Sequence, residues 1–186
     1  NPDALYCCDP VIGDVGRGVF VRPGIPEFMR DHAVPAADIV TPNQFELDYL
    51  SGRETRTLAE AKDAVRAVQA RGPRVVLVTS LHVEDTPEGS IDLLAGDLHG
   101  GEGGRFWRLR TPKLSVSVNG AGDAIAALFF VHYARSGSAE TALAEAGAAI
   151  YGLLKRTQDA GSREILTVAA QDEFVNPTRR FPVEPV

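Results

Sequence analysis

Short apolar runs alternate with helix-forming stretches along this chain, and that alternation limits its fold more than any other feature. Residues 5–8, 38–41 and 74–79 read as buried strands. Between them, residues 26–32 read as a short helix with proline at its start, and residues 45–51 as another. Thr57-Leu58-Ala59-Glu60 is a capping-box pattern, and it opens a longer helix in which Leu58, Ala61, Val65 and Val68 repeat at helical spacing up to Arg71-Gly72. Apolar strands separated by helices predict an α/β protein with a mainly parallel sheet and helices on both faces. Residues 90–95 and 106–109 predict two further strands joined by a glycine-rich stretch over 96–104. The final long helix, about residues 139–156, carries Ala142, Ala146, Ala149, Ile150 and Leu153 on one face. No linker or internal repeat divides the 186 residues, so they read as one domain, 44% hydrophobic and large enough to bury a core.

Charge and composition exclude several classes of function. Nineteen basic against 25 acidic residues give a net charge of −6, and no basic cluster interleaved with aromatics marks a nucleic-acid surface. No apolar run approaches a membrane span, and no signal pattern opens the chain, so a soluble, cytoplasmic protein is expected. Cys7 and Cys8 are the only cysteines; adjacent in a strand they point to opposite faces and read as buried hydrophobes.

The candidate chemistry begins at residues 116–130, where Asn119-Gly120-Ala121-Gly122-Asp123 runs into an apolar helix. Small residues at a helix start let an anion approach unpaired N–H groups and the positive end of the helix dipole. Asp123 at the rim of such a site is suited to taking a proton from an attacking hydroxyl. The same residues also fit a plain tight turn with Asp in the first helical turn. They form neither a Walker A loop nor a complete dinucleotide fingerprint.

Three strand ends add polar groups on what would be the carboxyl edge of the sheet. The first is Cys8-Asp9-Pro10-Val11-Ile12-Gly13-Asp14, which also reads as a turn. The second is Thr41-Pro42-Asn43-Gln44-Phe45-Glu46, in which Asn43 and Glu46 equally suit an N-cap and its third-position partner. The third is Val78-Thr79-Ser80.

Together these segments, with Gly120-Ala121-Gly122-Asp123 and Ala169-Ala170-Gln171-Asp172, resemble the pyridoxal kinases of the ribokinase-like superfamily, most specifically over Thr41 to Glu46. The resemblance implies a ribokinase-like fold and ATP-dependent phosphorylation of the 5'-hydroxymethyl group of pyridoxal. It implies Asp123 as the base and the N–H groups of Gly120, Ala121 and Gly122 as the anion hole. Asn43, Thr79, Ser80 and Asn119 would lie on the nucleotide. Asp14 and Glu46 would act on Mg²⁺, partly through water, while Asp9 and Thr41, with Thr79, would hold a monovalent cation, K⁺ or Na⁺. It further implies that residues 1–186 are the C-terminal portion of one kinase domain, with early strands and most of the pyridoxal pocket upstream, and a homodimer at full length. A hydroxymethylpyrimidine or sugar kinase, or an ATP-binding module without turnover, are the competing readings. A Rossmann-type dehydrogenase is disfavoured, since no glycine fingerprint follows the first visible strand.

Overall fold

The computed structural model describes residues 1, 4–100, 103–116 and 118–186. Gly101 and Glu102, within the predicted glycine-rich connection, and Ser117, ahead of the Gly-Ala-Gly turn, lie outside the described residues.

Six strands form the main sheet in the order β1 (Cys7–Cys8), β4 (Ile39–Val40), β5 (Val75–Leu81), β6 (Ser90–Asp97), β7 (Arg105–Pro112) and β8 (Val183–Pro185). β1, β4 and β5 pair in parallel, Cys7 opposite Ile39 and Ile39 opposite Val75. The helices that make this possible are α1 (Ile25–Phe28) and α2 (Val34–Ala36) between β1 and β4, and α3 (Gln44–Ser51) and α4 (Leu58–Gln69) between β4 and β5. From β5 onward the pairing is antiparallel, Val75 opposite Asp97 and Ala95 opposite Trp107. The sheet is therefore mixed. Its parallel half lies where helices separate β1, β4 and β5; β5, β6 and β7 follow one another without an intervening α-helix and pair antiparallel, and β8 joins β7 antiparallel after the two helices of residues 121–159. β8, which returns along β7 from the C-terminal tail, was not expected; three residues that include Pro185 leave no periodic signal. Nor was the small hairpin of β2 (Gly13–Asp14) and β3 (Gly18–Val19).

The local signals in the sequence are realised with small extensions. Thr57 caps α4 as predicted, its Oγ1 accepting from Glu60 N at 3.2 Å and Glu60 Oε2 accepting from Thr57 N at 2.9 Å. The predicted 26–32 helix runs over residues 25–36, with a π turn at Met29–Ala33. Pro35 has no N–H to continue an α ladder, and the widened turn lets Val34 N bond to Met29 O instead. α5 (Ala121–Ser136) and α6 (Ala139–Asp159) complete the fold.

Strand alternation divides the core between two faces. Val76, Val78 and Leu94 pack beneath α3 and α4 through Leu47, Leu50, Ala61, Val65 and Val68. Val75, Leu77, Leu93 and Leu109 pack on the other face beneath α5 and α6 through Phe129, Leu143, Ala146 and Leu153. Helices thus cover both faces, and α5 begins at the edge of the sheet where β1, β4 and β5 end.

Candidate active site at the start of helix α5

α5 starts from Gly120, whose φ of +89° is open to glycine and strained for other residues. Among the described residues no side chain caps it, whereas Asn43, Thr57 and Ser138 cap α3, α4 and α6. The first N–H with an intrahelical acceptor is that of Ala124, which donates to Gly120 O at 3.0 Å. The N–H groups before it have no intrahelical acceptor, and the helix dipole lies behind them.

Cavities flank this helix start. Ala121 and Gly122 line a cleft of about 350 Å³ together with Asp14, Thr79 and Ser80, and its inner wall is apolar, built by Ile125 and by Ile150, Tyr151 and Leu154 of α6. On the other side a cavity of about 420 Å³ is bounded by Tyr6, Cys7 and Asp9 and by Ala126, Ala127 and Phe130 of α5. Asp123 is exposed in the first turn of α5 and lines neither cavity, but its charge acts on Asp9. Burial pushes the Asp9 carboxyl above its ordinary range, the Thr41 hydroxyl opposes this by donating to Asp9 Oδ1 at 3.1 Å, and the charge of Asp123 raises it further. Burial also pushes the Cys7 thiol up to about 12, which suits a packing residue rather than a nucleophile.

Glu46 is almost wholly buried, 3% exposed, and each of its oxygens is engaged. Oε2 accepts from Asn43 N at 3.0 Å, completing the capping box of α3. Oε1 accepts from Ile12 N at 2.7 Å and Gly13 N at 3.4 Å, pinning the loop between β1 and β2. Asn43 works on the same loop, with Nδ2 donating to Gly13 O at 2.8 Å while Oδ1 accepts from Glu46 N at 3.0 Å. The pinned loop contains Val11 at φ +48°, a conformation a β-branched residue adopts only when its surroundings impose it. Ser80, in a bulge of β5, also has a positive φ, +55°, and is exposed at the first cleft.

The expected site residues therefore divide. Asp14, Thr79, Ser80, Ala121 and Gly122 meet in the first cleft, and Asp9 faces the second cavity. Thr41 supports Asp9, Asn43 and Glu46 hold the loop behind the site, and Asn119 and Gly120 form the turn into α5 without lining either cavity. Lys113 and Tyr151 line the first cleft and were missed by the sequence reading; neither stands in a motif. Among the described residues, no three His, Cys, Asp or Glu side chains converge to hold a metal ion by themselves.

Residues 2–168 match the family described as phosphomethylpyrimidine kinase. The chain belongs to the phosphomethylpyrimidine kinase family. Among the curated relatives of this family member, a pyridoxal kinase PdxY of Granulibacter bethesdensis is 60% identical over 97% of the chain, and one of Rubrobacter xylanophilus is 54% identical over 100%. The chain spans 63% of the length of each of these two relatives. Among solved structures, pyridoxal kinase from Leishmania donovani in complex with ADP and ginkgotoxin superposes with a TM-score of 0.88 at 29% identity, covering 99% of this chain and 62% of that one. A structure described as a putative phosphomethylpyrimidine kinase from Bacteroides thetaiotaomicron gives a TM-score of 0.87 at 27% identity, covering 100% of this chain and 64% of that one. The architecture of this family member is accordingly the α/β, ribokinase-like fold. Among its described residues, no helix is long and apolar enough to cross a membrane.

Proposed function

We propose that this chain carries the ATP-binding side and the catalytic base of a kinase that phosphorylates the 5'-hydroxymethyl group of pyridoxal. The observation that carries the reading is the uncapped start of α5, with Asp123 in its first turn and a cavity on either side. Relatives at 54–60% identity bear the name pyridoxal kinase, and the Leishmania enzyme was solved with ADP alone, with ADP and pyridoxamine, and with ADP and pyridoxine.

In this reading ATP occupies the first cleft, with its γ-phosphate at the N–H groups of Ala121 and Gly122. The acceptor approaches from the side of Asp9 and Ala126. The hydroxyl oxygen of the acceptor forms a bond to the γ-phosphorus as the bond from that phosphorus to the bridging oxygen of ADP breaks, and the hydroxyl proton passes to Asp123. Phosphoryl transfer asks chiefly for alignment and for neutralised charge, and the unpaired N–H groups with the helix dipole supply both at the transferring group. A Mg²⁺ ion, when bound, offsets phosphate charge and keeps most of its water. Asp14 suits it, exposed at the cleft with Oδ1 accepting from Val15 N at 2.8 Å, and Glu46, its oxygens committed to backbone N–H groups, would act on it through water. Asp9 and Thr41 suit a monovalent cation, because a partly buried carboxylate with a raised pKa gains most from a counter-charge.

A second acceptor is favoured by the family itself, whose description and whose Bacteroides structure name phosphomethylpyrimidine kinase. The deciding experiment measures ATP-dependent phosphorylation by the intact gene product with pyridoxal, hydroxymethylpyrimidine and ribose. Transfer to pyridoxal is expected, and Asp123→Asn is expected to lower turnover by about 10²–10⁴-fold while ADP binding persists. Transfer to hydroxymethylpyrimidine alone would overturn the acceptor and keep the mechanism. ADP binding without transfer to any alcohol would overturn the kinase reading.

A further inference from the structure

One wall of the first cleft packs against residues that do not line it. Gly147, Ile150, Tyr151 and Leu154 line it at helical spacing on α6. Tyr151 is 9% exposed, and its ring meets Phe181 edge-on, with centroids 4.8 Å apart at 72°. The guanidinium of Arg179 lies over both rings, 5.6 Å from the Tyr151 centroid and 5.0 Å from that of Phe181. The tail that brings these residues to α6 is fastened on either side of Phe181. Arg180 Nη1 donates to Glu145 Oε1 at 2.6 Å, and Val183–Pro185 pair with Leu109, Arg108 and Trp107 of β7.

We propose that Arg179 is a positioning residue for the nucleotide-side cleft, holding the Tyr151 ring so that it presents a fixed surface to the base or ribose of the bound nucleotide. The proposal rests on reading that cleft as the ATP site. Two aromatic rings packed edge to face share a cation best when it sits over both faces, and such a clamp removes ring motions that a ligand would otherwise have to restrain. Arg179 does not line the cleft and bears on it through Tyr151. Its loss therefore acts on nucleotide affinity and leaves the chemical step in place.

The test uses the intact gene product with Arg179→Ala, Arg179→Lys and, as a control on the same tail, Arg180→Ala. KM for ATP, KM for the acceptor, kcat, ADP affinity by calorimetry and Tm are measured for each. Arg179→Ala is expected to raise KM for ATP and weaken ADP binding about two- to fivefold, with kcat and the acceptor KM unchanged. Arg179→Lys, which keeps a cation over the rings, is expected to recover most of that loss, and Arg180→Ala to leave nucleotide affinity unaltered. The proposal is overturned by an unchanged KM for ATP in Arg179→Ala, or by matching losses in Arg179→Ala and Arg180→Ala that follow Tm. A wild-type protein that binds no ADP would instead bring down the reading of the cleft, an outcome separable from the other two.

Discussion

Asp9 shows how much the site asks of a single residue. Its carboxyl is raised above the ordinary range first by burial and then by the charge of Asp123, so the ionised form is disfavoured in the fold relative to the unfolded chain. A carboxylate whose folded pKa is raised contributes stability that is present below its unfolded pKa and lost as pH rises through the folded one. Asp9→Asn is therefore expected to raise Tm at pH 7 in buffer free of K⁺ and Na⁺, since Asn can still accept from the Thr41 hydroxyl through Oδ1. The gain should shrink as pH falls below the ordinary carboxylate range, where wild-type Asp9 is protonated too. Thermal melts of the intact gene product across that range decide it, and a gain that persists undiminished into acid would mean that charge at Asp9 is not the cause. The stabilised variant should lose activity if the carboxylate serves a cation, the usual exchange between stability and function at a site. Asp9, Asp14, Thr79 and Asp123 were all legible as site candidates, because Asp-Pro, Thr-Ser and Gly-Ala-Gly-Asp at strand ends and a helix start are local patterns. Tyr151 and Arg179 were not, since their contact joins residues far apart in a helix and a tail that carry no motif.

At the scale of elements, the loop between β1 and β2 depends on Glu46 of α3. One carboxylate takes three backbone N–H groups, from Ile12, Gly13 and Asn43, and so fixes the residues that follow Val11, itself in a left-handed conformation. Gly13 must be a glycine for the same loop, because a Cβ there would lie 2.4 Å from Phe45 Cε1 and 2.5 Å from Gly18 O. Glu46→Ala is expected to cost about 1–3 kcal/mol, the loss that follows when buried donors are left without an acceptor. Urea unfolding reports the total, and amide exchange reports where it falls, with protection lost first at Ile12. Glu46→Gln retains one carbonyl acceptor and should lose less. Equal stability of Glu46→Ala and wild type would remove the loop-holding role. Half of this arrangement was legible: Asn43-Gln44-Phe45-Glu46 predicts the capping box that is observed. The other half was not, because Oε1 reaches back 34 residues to Ile12, a pairing that only the parallel packing of β1 against β4 creates. The same reasoning explains the sheet. Strands β1, β4 and β5, separated by helices, pair in parallel as expected; β5, β6 and β7 pair antiparallel across connections without an α-helix, whereas the antiparallel β8 comes back to β7 only after α5 and α6, a long-range pairing that no local pattern marks.

Over the whole molecule, α5 acts as a partition. Its first turn faces the cleft of Asp14, Thr79 and Ser80, and its next turns face the cavity of Tyr6, Cys7 and Asp9, so one helix start is presented to two compartments. In the proposed reading this separation serves phosphoryl transfer, because donor and acceptor must meet only at the reacting atoms. Ala127 tests it cleanly. It is exposed on α5, lines only the second cavity, and can be enlarged at small cost to the helix. Ala127→Phe is expected to fill part of that cavity and lower kcat/KM for the acceptor by about tenfold or more, since a small misplacement at a reacting centre costs on the order of 10²-fold. ADP affinity, measured by calorimetry on the same variant, should match wild type, because the first cleft is lined by the opposite side of the helix start. Parallel losses of ADP and acceptor affinity would mean that the two cavities are one continuous site and that α5 does not divide them. Loss confined to the acceptor would place the donor and acceptor on the two sides that the helix separates.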